Sequence, residues 1–206
     1  MEVKYNMFPL ARMEQNQILL VIANHAAREQ MLEWIAMQAC QGRVRVVDGS
    51  NQFNVYQVAK TIRRQTARLT DALKNIQISR SFSCYQMTAM LEKILARPGE
   101  PGMPEAGMPA ENIPVFVLDL LFSYYDEDIK LPESQRLLKK SIRALEQLSQ
   151  RAPVVISSRP MMYNQERKML LDELKETATL VWEAEETVTR QLPAPNLLPW
   201  PEEKSS

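Results

Sequence analysis

The chain is short of the residues that most often carry chemistry. It has one histidine, His25, two cysteines, Cys40 and Cys84, and five glycines in 206 residues. A single histidine cannot assemble a histidine metal site, and two distant cysteines without C-x-x-C spacing argue against a zinc or disulfide framework. They fit buried thiols in a reducing compartment. The formal net charge is zero, so no global field draws the protein to a polyanion or a membrane surface. No apolar run approaches the roughly 18 residues that cross a bilayer. The opening Met1-Glu2-Val3-Lys4-Tyr5-Asn6 lacks the basic-then-apolar layout of a signal peptide. The expectation is a soluble protein, cytoplasmic or, in a eukaryote, nuclear, with no membrane partner.

The shortage of glycine excludes something specific. A phosphate-binding loop reads G-x-x-x-x-G-K-S/T, because glycines let backbone N–H groups approach the phosphates, the lysine neutralises charge and the hydroxyl ligates Mg²⁺. Gly-Lys occurs nowhere in this chain. After the apolar run Gln17-Ile18-Leu19-Leu20-Val21-Ile22, where such a loop would follow, the sequence reads Ala23-Asn24-His25-Ala26-Ala27-Arg28-Glu29-Gln30, without a glycine.

What is present alternates in texture. β-branched or apolar runs at 17–22, 44–48, 76–79, 114–119, 153–157 and 178–183 predict strands. Helical spacing occupies 26–41, closed by Gly42, then 54–74, 83–96, a helix opened by Pro132 and running to about 150, and 165–176. Strands alternating with helices of this length predict an α/β domain of three layers, a mostly parallel sheet with helices on both faces. Residues 1–16 are expected to form an N-terminal arm and 17–186 the core. Residues 98–112, with two copies of Gly-Met-Pro, are expected to be a flexible insertion, and 187–206 a Pro-rich tail.

Two features carry chemical information. The run Val115-Phe116-Val117-Leu118 ends in Asp119, the layout of a Walker B strand, in which a buried strand delivers a carboxylate to a Mg²⁺ site at its C-terminal end. Secondly, charge is uneven along the chain: between Arg43 and Arg80 eight basic residues stand against two acids, Asp48 and Asp71. Within the predicted helix 54–74, Lys60, Arg63, Arg64, Arg68 and Lys74 fall opposite the apolar stripe. Such a face suits a phosphate backbone or an acidic protein.

The order of these segments resembles the ATPase core of the RecA/RadA recombinase family over roughly residues 17–184. Val44-Arg45-Val46-Val47-Asp48-Gly49-Ser50-Asn51-Gln52-Phe53 is similar to the family's strand reading Y-I-D-T-E-G-T-F. Ile76-Gln77-Ile78-Ser79-Arg80-Ser81-Phe82 is similar to its V-A-R-A-F segment. Phe116 to Asp119, with Tyr124 and Glu133 to Arg136, resembles its Walker B region, and Val154-Val155-Ile156-Ser157-Ser158 its V-V-I-T-N strand. In that register the family's Gly-Lys-Thr falls on Arg28, Glu29 and Gln30, and its catalytic glutamate on Ser50. A carboxylate is lost where water would be activated, and Glu29 would repel a triphosphate in a partly desolvated site.

The resemblance therefore implies a RecA-like fold with a degenerate nucleotide site and a vestigial Asp119. No cofactor, metal or ATP hydrolysis is expected. It implies an accessory role in DNA recombination or repair, with DNA or a paralogous RecA-like subunit as partner, in a homo- or hetero-oligomer. The alternative is a non-enzymatic scaffold docking an acidic protein through the same basic helix. Arg159, Arg167 and Lys168 stand where the family's DNA-facing loop would lie, with Met161, Met162 and Tyr163 beside them. Phe8 and Ala11 match the Phe-x-x-Ala of its polymerisation peptide. The segment after Ser158 is shorter than the family's second DNA-binding loop, so strand exchange is not expected.

Overall fold

The computed structural model describes residues 13, 15–96, 113–160 and 164–183. Phe8, Ala11, Met161, Met162, Tyr163, the expected insertion and the expected tail lie outside the described residues. The six predicted strands are all present: β1 (Ile18–Ile22), β2 (Val44–Asp48), β3 (Ile76–Arg80), β4 (Val115–Leu118), β5 (Val154–Ser158) and β6 (Leu180–Glu183). They form one sheet in the order β3-β2-β4-β5-β1-β6, every pairing parallel.

That order fixes where the helices lie. From β1 the chain crosses β5 and β4 to reach β2 and then moves outward to β3. It next reverses, passing through β4 and β5 to β6. Because parallel crossovers are right-handed, movement in opposite directions places the connecting helices on opposite faces. One face carries α1 (Arg28–Gln41), α2 (Val55–Gln65) and α3 (Leu69–Lys74), and the other α4 (Cys84–Ala96), α5 (Leu131–Ser149) and α6 (Lys168–Thr177). The two cores follow the pleat. Leu19, Val21, Val44, Val46, Phe116, Leu118 and Val155 pack with α1–α3, whereas Ile18, Leu20, Ile22, Val47, Val115, Val117, Val154 and Ile156 pack with α4–α6. β1, β4 and β5 are buried on both faces, which is why they read as continuous apolar runs rather than alternating ones. The molecule is thus the three-layer α/β fold that the alternation predicts.

The expected continuous helix over 54–74 is two helices. Thr66 is extended (φ −150°, ψ 150°) and its side chain accepts from the N–H of Arg68 at 3.2 Å, a hydroxyl turn that competes with helix continuation. Apolar spacing alone carries through such a break, because both helices bury residues in the same core, Val58 and Ile62 from α2 and Ala72 from α3. The edge strand β6 is held to the α1 side by Trp182, whose ring lies 5.6 Å from that of Trp34. Among the described residues no helix is long and apolar enough to cross a membrane.

Candidate functional site

In a parallel sheet all strands end at one edge, and in an open α/β sheet ligands bind where connections from neighbouring strands depart to opposite faces. Here β2 leads to the α1–α3 face and its neighbour β4 to the α4–α6 face, and β5 and β1 form a second such pair. The carboxyl ends of β1, β2, β4 and β5 are therefore the place to look.

The turn after β1 is built without glycine. His25 (φ 53°), Ala26 (φ 53°) and Ala27 (φ 49°) stand consecutively in the left-handed region. Each such L-residue costs about 1–2 kcal/mol, so packing must hold the turn: Ala26 is fully buried and its N–H donates to the Ala23 carbonyl at 2.9 Å. Arg28, Glu29 and Gln30, the positions matching the family's Gly-Lys-Thr, form the first turn of α1, with Arg28 and Glu29 exposed. Arg28 donates from Nε to the Gln52 carbonyl at 3.1 Å, tying this turn to the loop after β2.

The loop after β2 is organised by Asp48, which is completely buried. Its Oδ1 accepts from the N–H of Gln52 at 2.9 Å and of Ser50 at 3.4 Å, and its Oδ2 from the N–H of Phe53 at 2.9 Å. Arg80, at the end of β3, lies 3.8 Å from Oδ2. Both oxygens are thus committed to shaping the loop. Ser50, at the family's catalytic glutamate position, is half-buried within it. Gly49 has a steric reason: a Cβ there would sit 2.8 Å from the Asp119 carbonyl and 3.0 Å from that of Leu118, so only glycine lets this loop lie against the end of β4.

Asp119 is the centre of the edge. It is completely buried, adopts a left-handed conformation (φ 50°), and its N–H donates to Ser157 Oγ at 3.0 Å. Its Oδ2 accepts from Arg159 through Nε at 2.8 Å and through Nη2, with Gln52 Nε2 at 3.5 Å; Oδ1 has no hydrogen-bond partner. The Arg159 guanidinium carbon also lies 5.0 Å over the ring of Phe122. A lone buried carboxylate needs a paired charge, and Arg159 supplies it where the Walker B layout would use a divalent cation. Asp48 and Asp119 are the buried acids among the described residues.

The residues expected to face DNA divide in two. Arg159 is turned onto Asp119, and Arg167 is buried. Arg167 donates from Nη1 to the Tyr124 carbonyl at 2.7 Å and Ser134 Oγ at 3.3 Å, and from Nη2 to the Ile129 carbonyl. Arg167 is therefore a clamp on the 124–134 connection and not a surface cation, which corrects its assignment. Sequence position showed a basic residue but not the three acceptors waiting for it. Lys168 is exposed at the start of α6. Lys60, Arg63 and Arg64 on α2, Arg68 in the break and Lys74 at the end of α3 are all exposed, and no acid among the described residues pairs with them.

Tyr124 and Tyr125, in the connection after β4, are drawn inward. Tyr124 is completely buried, its hydroxyl 2.7 Å from Ser141 Oγ and 3.1 Å from Thr88 Oγ1, and burial pushes its pKa up to about 12. Burial raises that of Tyr125 too. The most exposed aromatics among the described residues are Tyr56, at 85% exposure, and Phe82, at 74%. The signal for Tyr56 was its place opposite Val58 and Ile62 on α2.

No protein-family model matches this chain, and no curated protein matches it.

Proposed function

We propose that this protein is a non-hydrolysing accessory factor of DNA recombination or repair, RecA-like in descent, that binds DNA through the α2–α3 flank. The observation that carries the binding is the group Lys60, Arg63, Arg64, Arg68 and Lys74, exposed together, with no ion pair among the described residues and with Asp71 the one acid in the stretch 60–74. Unpaired cations clustered on one flank are the electrostatic footprint of phosphate contact. The non-hydrolysing reading is supported by Arg159 standing against Asp119, by the commitment of Asp48 to its own loop, and by Glu29 in the first turn of α1. The recombination or repair setting, and a paralogous RecA-like subunit as partner, rest on the sequence resemblance.

The test is binding of a labelled oligonucleotide, followed by fluorescence anisotropy over a salt series. Affinity should fall steeply with salt, be indifferent to Mg-ATP, and weaken on charge reversal at Arg63, Arg64 and Arg68, with the salt slope shrinking by about 0.7–0.9 for each lost phosphate contact. No binding of single or double strands at low salt would remove the DNA reading. A melting-temperature rise with Mg-ATP would show that nucleotide still binds, because a ligand that binds only the folded state must stabilise it, and release of inorganic phosphate on incubation with Mg-ATP would remove the non-hydrolysing reading.

A further inference from the structure

Resting on the nucleic-acid reading above, we infer that the ligand of this flank is single-stranded, with unpaired bases stacking on Tyr56 and Phe82 while phosphates meet Lys60, Arg63 and Arg64. The site lies on α2 and the end of β3, apart from the segment after β5, where Arg159 is paired with Asp119 and Arg167 is buried.

Begin with α2. Asn54 caps it, its Oδ1 accepting from the N–H of Tyr56 at 3.0 Å and of Gln57 at 3.2 Å, so Tyr56 stands in a fixed first turn. At 3.6 residues per turn, Val58 and Ile62 point into the core, while Tyr56, Lys60, Arg63 and Arg64 fall within about 100° of arc on the opposite side. The stripe runs about 12 Å along the axis with the aromatic ring at one end and three cations beyond it. Tyr56 is 85% exposed, so its ring faces solvent at the carboxyl edge of the sheet, where α2 begins.

β3 runs beside β2 in register, Asp48 opposite Arg80, so the chain leaving β3 emerges at the same edge. Its second residue past the strand is Phe82, 74% exposed. The Phe82 N–H donates to Gln86 Oε1 at 2.9 Å, which fixes the backbone that carries the ring. Arg80, its side chain about half exposed, adds a cation between the two aromatics in the order of the chain.

Scattered exposed aromatics need no explanation. One in the capped first turn of α2 and one in the hydrogen-bonded bend before α4, with the unpaired Lys60, Arg63 and Arg64 beside the first, make a pattern with a specific use: every base has a π-face, and cations with aromatic platforms hold a strand whose bases are unstacked. A duplex offers phosphates but hides the base faces, so it would engage the cations and leave both rings idle. A protein partner would favour an apolar centre depleted of charge, and this stripe has the opposite composition.

The test uses the full chain and three probes of equal length: an oligothymidylate, its abasic counterpart with the same phosphates, and a duplex. The oligothymidylate should bind tightest. Tyr56→Ala and Phe82→Ala should each weaken it roughly 5- to 150-fold, leave the unfolding midpoint unchanged, and leave duplex and abasic binding unaltered. Arg63→Ala with Arg64→Ala should weaken all three probes. If the duplex or the abasic strand binds as well as the oligothymidylate, or if the aromatic variants bind it normally, stacking is refuted while the DNA reading stands. If no probe binds, both fall.

Discussion

Two arginine-bearing regions of this molecule invite opposite treatment. At the carboxyl edge of the sheet, Arg159, half-buried, and Arg167, buried, are both turned onto acceptors of the fold. One neutralises the buried Asp119, and the other is buried against Tyr124, Ile129 and Ser134. On the α2–α3 flank, Arg63, Arg64 and Arg68 face solvent with no ion pair among the described residues. A guanidinium carries the same charge and five donors in both places. What decides its use is whether the fold has placed acceptors within reach. The edge where an open α/β sheet binds its ligands has turned these two arginines onto its own acceptors, and the flank has kept its arginines available.

The sharpest way to break this contrast is Arg159→Leu. Removing the guanidinium leaves the Asp119 carboxylate uncompensated; a fully buried pair broken this way costs about 3–5 kcal/mol, and because the Arg159 side chain is 35% exposed the loss should fall toward or below the lower end of that range. Asp119 is completely buried, with one oxygen already lacking a partner, so little inside the protein could replace the guanidinium. Urea denaturation should show that loss, and Asp119→Asn in the same chain should recover part of it, a coupling that a double-mutant cycle measures. A variant as stable as the parent would mean that water balances Asp119 and that the edge is open.

Behind that edge, the Tyr124 hydroxyl gives a pH-dependent reading. Its pKa is raised from the usual 10 to about 12, chiefly by burial. The folded state therefore holds its proton more tightly than the unfolded state. The associated stability is complete below pH 10 and is lost as pH rises toward 12, a span worth roughly 2–3 kcal/mol. Tyr124→Phe loses the hydroxyl contacts to Ser141 and Thr88, about 1 kcal/mol at neutral pH. The parent should be the more stable protein at neutral pH and Tyr124→Phe the more stable near pH 12, as measured by chemical denaturation at each pH. A constant difference across that range would show that solvent reaches the hydroxyl.

Gly49→Ala probes the same edge from the β2 side. The new methyl group would meet the backbone carbonyls of Asp119 and Leu118, which cannot rotate away as a side chain can. Overpacking of this kind costs about 1–3 kcal/mol, read as a lower melting temperature. The Arg159 pairing should loosen with it, visible as a smaller coupling in the Arg159–Asp119 cycle.

Much of this architecture was legible in the sequence because buried parallel strands leave a strong trace. The runs at 44–48 and 76–79 mark β2 and β3 to within a residue, and Gly42 ends α1 as its C-cap. The break between α2 and α3 was not legible, since the apolar period continues across Thr66 and only its extended backbone shows the interruption. Nor was the left-handed turn at His25, Ala26 and Ala27, because histidine tolerates φ above zero but alanine, which fills two of the three positions, does not favour it. The site was half legible for a related reason. Asp119 was identifiable from the strand it ends, but its partner is 40 residues further along the chain. Arg159 and Arg167 look alike as letters, and long-range acceptors separate them.

The smallest expected effect completes the contrast. Arg63→Ala together with Arg64→Ala removes two charges from the flank, and each surface substitution should change stability by no more than about 0.5 kcal/mol. Both side chains point away from Val58 and Ile62, so their loss uncovers no core and strands no buried acceptor. Relief of repulsion among neighbouring cations would move stability slightly upward, most visibly at low salt. The same pair of changes should weaken oligonucleotide binding severalfold. Stability and binding are thereby separated at the flank, in contrast to Arg159, whose removal should first be felt as unfolding. If the double variant instead melts well below the parent, the flank is a structural surface and its charges are held by contacts within the fold.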